Sequence, residues 1–71
     1  MKLTMLCKDS NSGGQGCPSV YLADSGEMVV QGVQVDEATM GELANLLPGE
    51  TAVRIDPEVI LGAIRRYQAD R

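Results

Sequence analysis

The run MVVQGVQV at positions 28–35 constrains this chain more than any other stretch. Its four valines favour a pleated strand, because branching at Cβ restricts χ1 in a way that a strand tolerates better than a helix. Alternation puts Val29, Gln31, Val33 and Val35 on one face, and Met28, Val30, Gly32 and Gln34 on the other. Neither face is wholly polar, so the strand is expected inside a sheet rather than at its edge. Gly32 interrupts it, as an isolated glycine does at a bulge or where another backbone comes close.

The flanking segments read as partners for that strand. Leu3, Met5 and Cys7 alternate with Thr4 and Leu6, which predicts a short first strand over 2–7 with Leu3, Met5 and Cys7 on one side. A loop rich in Ser, Asn and Gly follows, and Pro18 then pushes Cys17 toward extended geometry ahead of a second strand over 19–23. Asp24, Ser25 and Gly26 are turn residues, which makes the second strand and the valine-rich strand an antiparallel hairpin.

After Val35 the period changes. Asp36 suits an N-cap, Glu37 complements the helix dipole, and Met40, Leu43, Ala44 and Leu47 recur at helical spacing, so a helix is predicted over 37–47. Pro48 and Gly49 stop it. Thr51, Val53 and Ile55 alternate with Ala52, Arg54 and Asp56 as a fourth strand. Asp56 and Pro57 then pair as cap and first residue of a final helix, whose apolar face is Val59, Ile60, Ala63, Ile64 and Tyr67 and whose end frays over 68–71. The expected fold is a small α+β domain of order β-β-β-α-β-α, with an antiparallel or mixed sheet of about four strands and both helices on one face. One domain spans 1–71.

Burial is in short supply. The 71 residues include no Trp and no Phe, so the core must come from Val, Leu, Ile, Met and Ala, with Tyr21 and Tyr67 as the rings. Ordering costs about 1.5 kcal/mol per residue, and a domain this small commonly gains stability by association. A protein partner or a second copy, as a homodimer, is therefore expected. Leu46 and Leu61 fall off the edge of their apolar stripes and, with Val33 and Val35 of the two-sided strand, are the candidate interface residues.

Charge narrows the partner class. The net charge is −4, and the six basic residues are dispersed apart from Arg65 and Arg66, which disfavours direct nucleic-acid binding. No apolar run approaches the roughly 18 residues of a membrane span. The opening MKLTMLC lacks the length and cleavage site of a secretory signal, so a cytoplasmic protein is expected.

Cys7 and Cys17 flank the glycine-rich loop. Cytosolic thiols are normally reduced, so free cysteines are the first expectation, a disulfide or redox pair the second, and a metal site the last. Zinc wants four Cys or His ligands, and this chain offers two Cys and no His. Gly13, Gly14 and Gln15 spell the GGQ of peptide release factors, but three residues on an acidic chain do not supply the rest of such a site. Asp24, Asp36 and Asp56 already serve as turn or cap residues, so no catalytic residue, cofactor or resident metal is expected.

The runs Leu6-Cys7-Lys8-Asp9, Gly16-Cys17-Pro18 with Val20-Tyr21, Val29-Val30-Gln31-Gly32 and Glu50-Thr51-Ala52-Val53 together resemble a family of short, uncharacterised actinobacterial proteins. Ser10, Ser12, Gly13, Gly14 and Cys17, followed by Val20 and Gly26, are similar to the BldB-like family of actinomycete developmental proteins, whose members often accompany helix-turn-helix regulators. The tryptophan near the start of that family's pattern has no counterpart here. What the resemblance implies is an interaction role accessory to a transcriptional regulator, with no catalytic residue carried over.

Overall fold

The computed structural model describes residues 1–9 and 18–70. Among the described residues seven elements follow one another: strands β1 (Leu3–Lys8), β2 (Ser19–Ala23), β3 (Met28–Gln31) and β4 (Val33–Gln34), helix α1 (Glu37–Met40), strand β5 (Val53–Arg54) and helix α2 (Pro57–Ala69). The α+β class and the order of strands and helices match the sequence reading. The single sheet resolves into two, a three-stranded antiparallel sheet in the order β1-β2-β3 and an antiparallel pair β4-β5.

The valine-rich run is not the interior strand. β2 lies in the middle and β3 at the edge, and the run is cut at Gly32, beyond which β4 pairs with β5 instead. The cut has a steric cause: a Cβ on Gly32 would stand 2.6 Å from the Arg54 carbonyl oxygen and 3.3 Å from the Val53 Cβ, so the backbones approach as only glycine permits. Valine's preference for pleated backbone thus says strand without saying buried. Val30 and Met28 are both exposed.

The turn between β2 and β3 is the one its residues announce. Gly26 takes φ 92°, in the left-handed region, and donates its N–H to the Ala23 carbonyl at 3.0 Å. Register then pairs Val20 with Val30 and Tyr21 with Val29.

β1 carries a feature that alternation hides. Met5 faces Tyr21 across the ladder, yet Cys7 faces Val20, so one extra residue, Leu6, is inserted between them as a bulge. The phase reverses there. Leu3 and Met5 point to the side of Tyr21 and Ala23, whereas Leu6 and Cys7 join Val20 on the other. The expectation that Cys7 shares a face with Leu3 and Met5 is corrected accordingly.

The core lies between that second side and α2. Leu6, Val20, Val59 and Ala63 form its buried cluster, and Cys7, Leu22, Ile55, Ile60 and Tyr67 pack against it. α2 starts where the Asp-Pro pair directs it, with the Asp56 carboxylate accepting from the Glu58 N–H at 2.9 Å and Pro57 in the first turn. It runs to Ala69 rather than fraying at 68, because Asp70 closes the last turn through its own N–H and takes Arg66 Nε at 2.8 Å. Ile64, expected on the apolar face, is exposed.

α1 departs most from expectation. It is a single turn, capped by Asp36 accepting from the Thr39 N–H at 2.8 Å, and none of its residues is buried. Periodicity over 37–47 described a helix with nothing to lie on, and a short helix without a buried face is not self-sustaining. Gly41 ends the turn, Asn45 takes φ 57°, and 41–50 continues as turns and bends. Among the described residues, α2 is the helix that packs on the sheet, against β1 and β2.

The Asp36 cap gives the first test. Hydrogen bonds from Thr39, first its side chain and then its backbone N–H, hold the Asp36 carboxyl below the ordinary 3.8, with the Arg54 charge adding to them against slight desolvation. A carboxyl lowered by folding contributes stability fully above its unfolded pKa and loses it as pH falls through the lower folded value. The Thr39 amide resonance is therefore expected to titrate with a midpoint below 3.8. A midpoint at or above 3.8 contradicts the cap.

Candidate functional site

What this fold leaves uncovered is apolar surface. Among the described residues, eleven large apolar side chains are exposed, against five hydrophobic residues that are buried. Scattered exposed leucines are ordinary on any protein, so the ratio matters more than any one of them. A buried set of one Leu, two Val and two Ala is small.

The shape agrees. The Cα radius of gyration is 13.3 Å, where a compact chain of this length has about 11 Å. The accessible surface is 5435 Å², where a compact monomer of this mass exposes about 4,300 Å².

Seven of the eleven exposed large apolar residues fall in three patches. One is the side of the sheet turned away from α2, where register puts Leu3 beside Ala23, Met5 beside Tyr21 and Val29, and Lys8 beside Ser19 and Gln31. Leu3 is 46% and Met5 44% exposed, Tyr21 and Val29 are half-buried, and the short Ser19 and Ala23 are buried. The Tyr21 hydroxyl donates to Gln31 Oε1 at 3.0 Å, which fixes the ring along the face. The second patch is the outward side of α2, with Leu61 and Ile64 one turn apart. The third is the segment after α1, where Leu43, Leu46 and Leu47 are exposed.

The four candidate interface residues fall on this surface unevenly. Leu61 is 46% exposed on α2, Leu46 39% exposed in the segment after α1, and Val33 52% exposed on β4. Val35 is half-buried and donates its N–H to the Ala52 carbonyl at 3.3 Å, extending the β4-β5 pairing. Val33 and Val35 thus share one small ribbon, while Leu46 and Leu61 stand on other elements. Sequence reading missed Leu3, Met5, Tyr21 and Val29 as a group. Alternation in each strand was the available signal, but which side the helix would cover was not.

Cys7 is a free thiol, half-buried, and it lies against α2. Its Sγ sits where a side chain on Gly62 would begin, 2.7 Å from the ideal Cβ position. That contact accounts for a glycine in the middle of a helix, where it otherwise costs roughly 1 kcal/mol relative to Ala. The proposed partner thiol, Cys17, and the Gly13-Gly14-Gln15 tripeptide lie outside the described residues. Among the described residues no group of three or more His, Cys, Asp or Glu is arranged to hold a metal ion, and no helix is long and apolar enough to cross a membrane.

Comparison with protein-family models, with curated proteins and with solved structures yields no match to this chain.

Proposed function

We propose that this protein is a non-catalytic, cytoplasmic protein-protein interaction module, accessory to a transcriptional regulator, whose small folded core serves mainly to display apolar surface. The observation that carries the reading is the excess of exposed over buried large apolar residues among those described. Surface of this kind is what association sites are made of, and it is costly to leave in water. An acidic chain of charge −4 favours a protein partner over a phosphate backbone. The likeness of its strand and loop motifs to actinomycete regulatory accessories supports the same class of partner.

The partner contacts are assigned to the two exposed patches that carry Leu46 and Leu61. Both are exposed leucines outside the buried cluster, so changing them leaves the core intact. The Leu46→Glu/Leu61→Glu variant is expected to unfold within about 0.5 kcal/mol of the parent, as surface substitutions do. It is also expected to lose the regulator that the tagged parent retains from host cells under reducing conditions, read by quantitative mass spectrometry. Retention of the same proteins by both forms removes this surface from consideration.

A further inference from the structure

We infer that residues 33–54 form a strap that opens as one unit while the core stays folded, and that Gly32 is the point at which it fastens. The inference rests on the interaction-module reading for its use. The strap carries Leu43, Leu46 and Leu47, so that patch can shift relative to Leu61 on α2 when a partner takes both.

The two ends of the strap are held and its length is not. At one end Gln31 pairs with Ser19 in the three-stranded sheet, and at the other Ile55 packs against the buried cluster. Between them no residue of 33–54 is buried, and all of 41–50 is exposed. Among the described residues, the buried cluster and the side chains packed against it come from β1, β2, Ile55 and α2. Core and strap therefore draw on separate residues, and the core keeps its buried cluster when the strap lifts.

Backbone closes the strap. Val33 pairs with Arg54 and Gln34 with Val53, and Val35 donates its N–H to the Ala52 carbonyl at 3.3 Å. At the foot of this ladder Gly32 lies so close that an added Cβ would stand 2.6 Å from the Arg54 carbonyl oxygen. A ladder this short, with no buried residue along it, contributes little, because water offers the same bonds once they break. Opening also returns conformational freedom to every released residue. Charge works in the same direction: Asp36, Glu37, Glu42 and Glu50 share one cation within the strap, Arg54, so like charges prevail there.

The test is native-state amide hydrogen exchange of the full chain, read by NMR at a series of low urea concentrations under reducing conditions. Val35 reports the strap, and Val20 and Leu22 in the middle strand report the core. Relative to its unprotected rate, Val35 is expected to exchange about 100-fold faster than Val20 and Leu22, as a sub-globally opening unit does. The bonded amides of β4 and β5 should follow Val35. Urea should change the exchange of Val35 little, because its opening exposes little surface, while Val20 and Leu22 speed up steeply.

Two variants separate strap from core. Leu6→Val weakens a core common to the open and closed forms, so it should speed Val20 and Leu22 about 5-fold and leave Val35 unchanged. Gly32→Ala should speed Val35 about 10-fold, through the clash with the Arg54 carbonyl, and speed Val20 and Leu22 by no more than that factor. Val35 exchanging at the rate and with the urea dependence of Val20 and Leu22 overturns the inference, because the strap then opens only with the core. So does an equal response of all three amides to Leu6→Val, and so does a Val35 with no protection, which leaves no closed state. A Val35 indifferent to Gly32→Ala overturns the fastening at Gly32. No partner enters this experiment, so its outcome stands apart from regulator capture by the Leu46→Glu/Leu61→Glu variant, which tests the wider reading.

Discussion

Replacing Leu6 with Ala is expected to remove about 3 kcal/mol of stability, a large share of what the chain has. A domain of this length holds about 4–10 kcal/mol in total. Leu6 is the largest side chain in the buried cluster, inserted by the β1 bulge against Val20 and beneath Val59 and Ala63 of α2. Truncation forfeits its transfer free energy and leaves a cavity that one small alanine and two valines cannot collapse into. The thermal midpoint followed by circular dichroism should fall by about 15 °C. Leu47→Ala, in the exposed segment after α1, should fall within about 0.5 kcal/mol of the parent. If the two variants melt alike, the core is not where the structure puts it.

The second large effect is a change of sign. Gly62→Ala normally stabilises a helix by about 1 kcal/mol, since alanine loses less backbone entropy. Here the added Cβ would begin 2.7 Å from the Cys7 Sγ. Overpacking of that kind costs about 1–3 kcal/mol, because α2 must lift from β1 or the thiol must leave its rotamer. The next nearest atom, the Cys7 Cβ at 3.7 Å, is at ordinary contact distance, so removing the sulfur alone makes the room. Gly62→Ala should therefore destabilise the parent and stabilise the Cys7→Ala variant, with a coupling of about 2 kcal/mol in a double-mutant cycle read by urea unfolding. Additive effects would mean that the helix and strand do not meet at this pair.

These two sites mark where sequence reasoning stops. Local chemistry was legible: Asp24-Ser25-Gly26 turned the chain between β2 and β3, and Asp56-Pro57 opened α2, because the bonds concerned lie within a few residues. Gly32 was legible as a bulge, a close approach or an incidental glycine, and which of these held came only with the Arg54 carbonyl beside it. The bulge at Leu6 was not, since inserting one residue shifts phase without changing composition. Strand order was not either, because valine's preference is satisfied equally at an edge and in the middle. The helix over 37–47 was overcalled for a related reason: periodic leucines imply a face, and only packing decides whether anything covers it. Leu43 and Leu47 are exposed instead.

The candidate surface divides in the same way. Leu46 and Leu61 were readable as leucines off their stripes, and both are exposed. The sheet face of Leu3, Met5, Tyr21 and Val29 became visible only once α2 was placed on the opposite side.

The central claim is that this exposed apolar surface is completed by another protein surface. It is met most directly by the native mass of the tagged chain in an extract of its own cells, at endogenous level and under reducing conditions. The account expects the chain to migrate in an assembly at least twice its own 7.6 kDa, whether with a second copy, a regulator or both. Migration of the whole population as a folded 7.6 kDa species would contradict it.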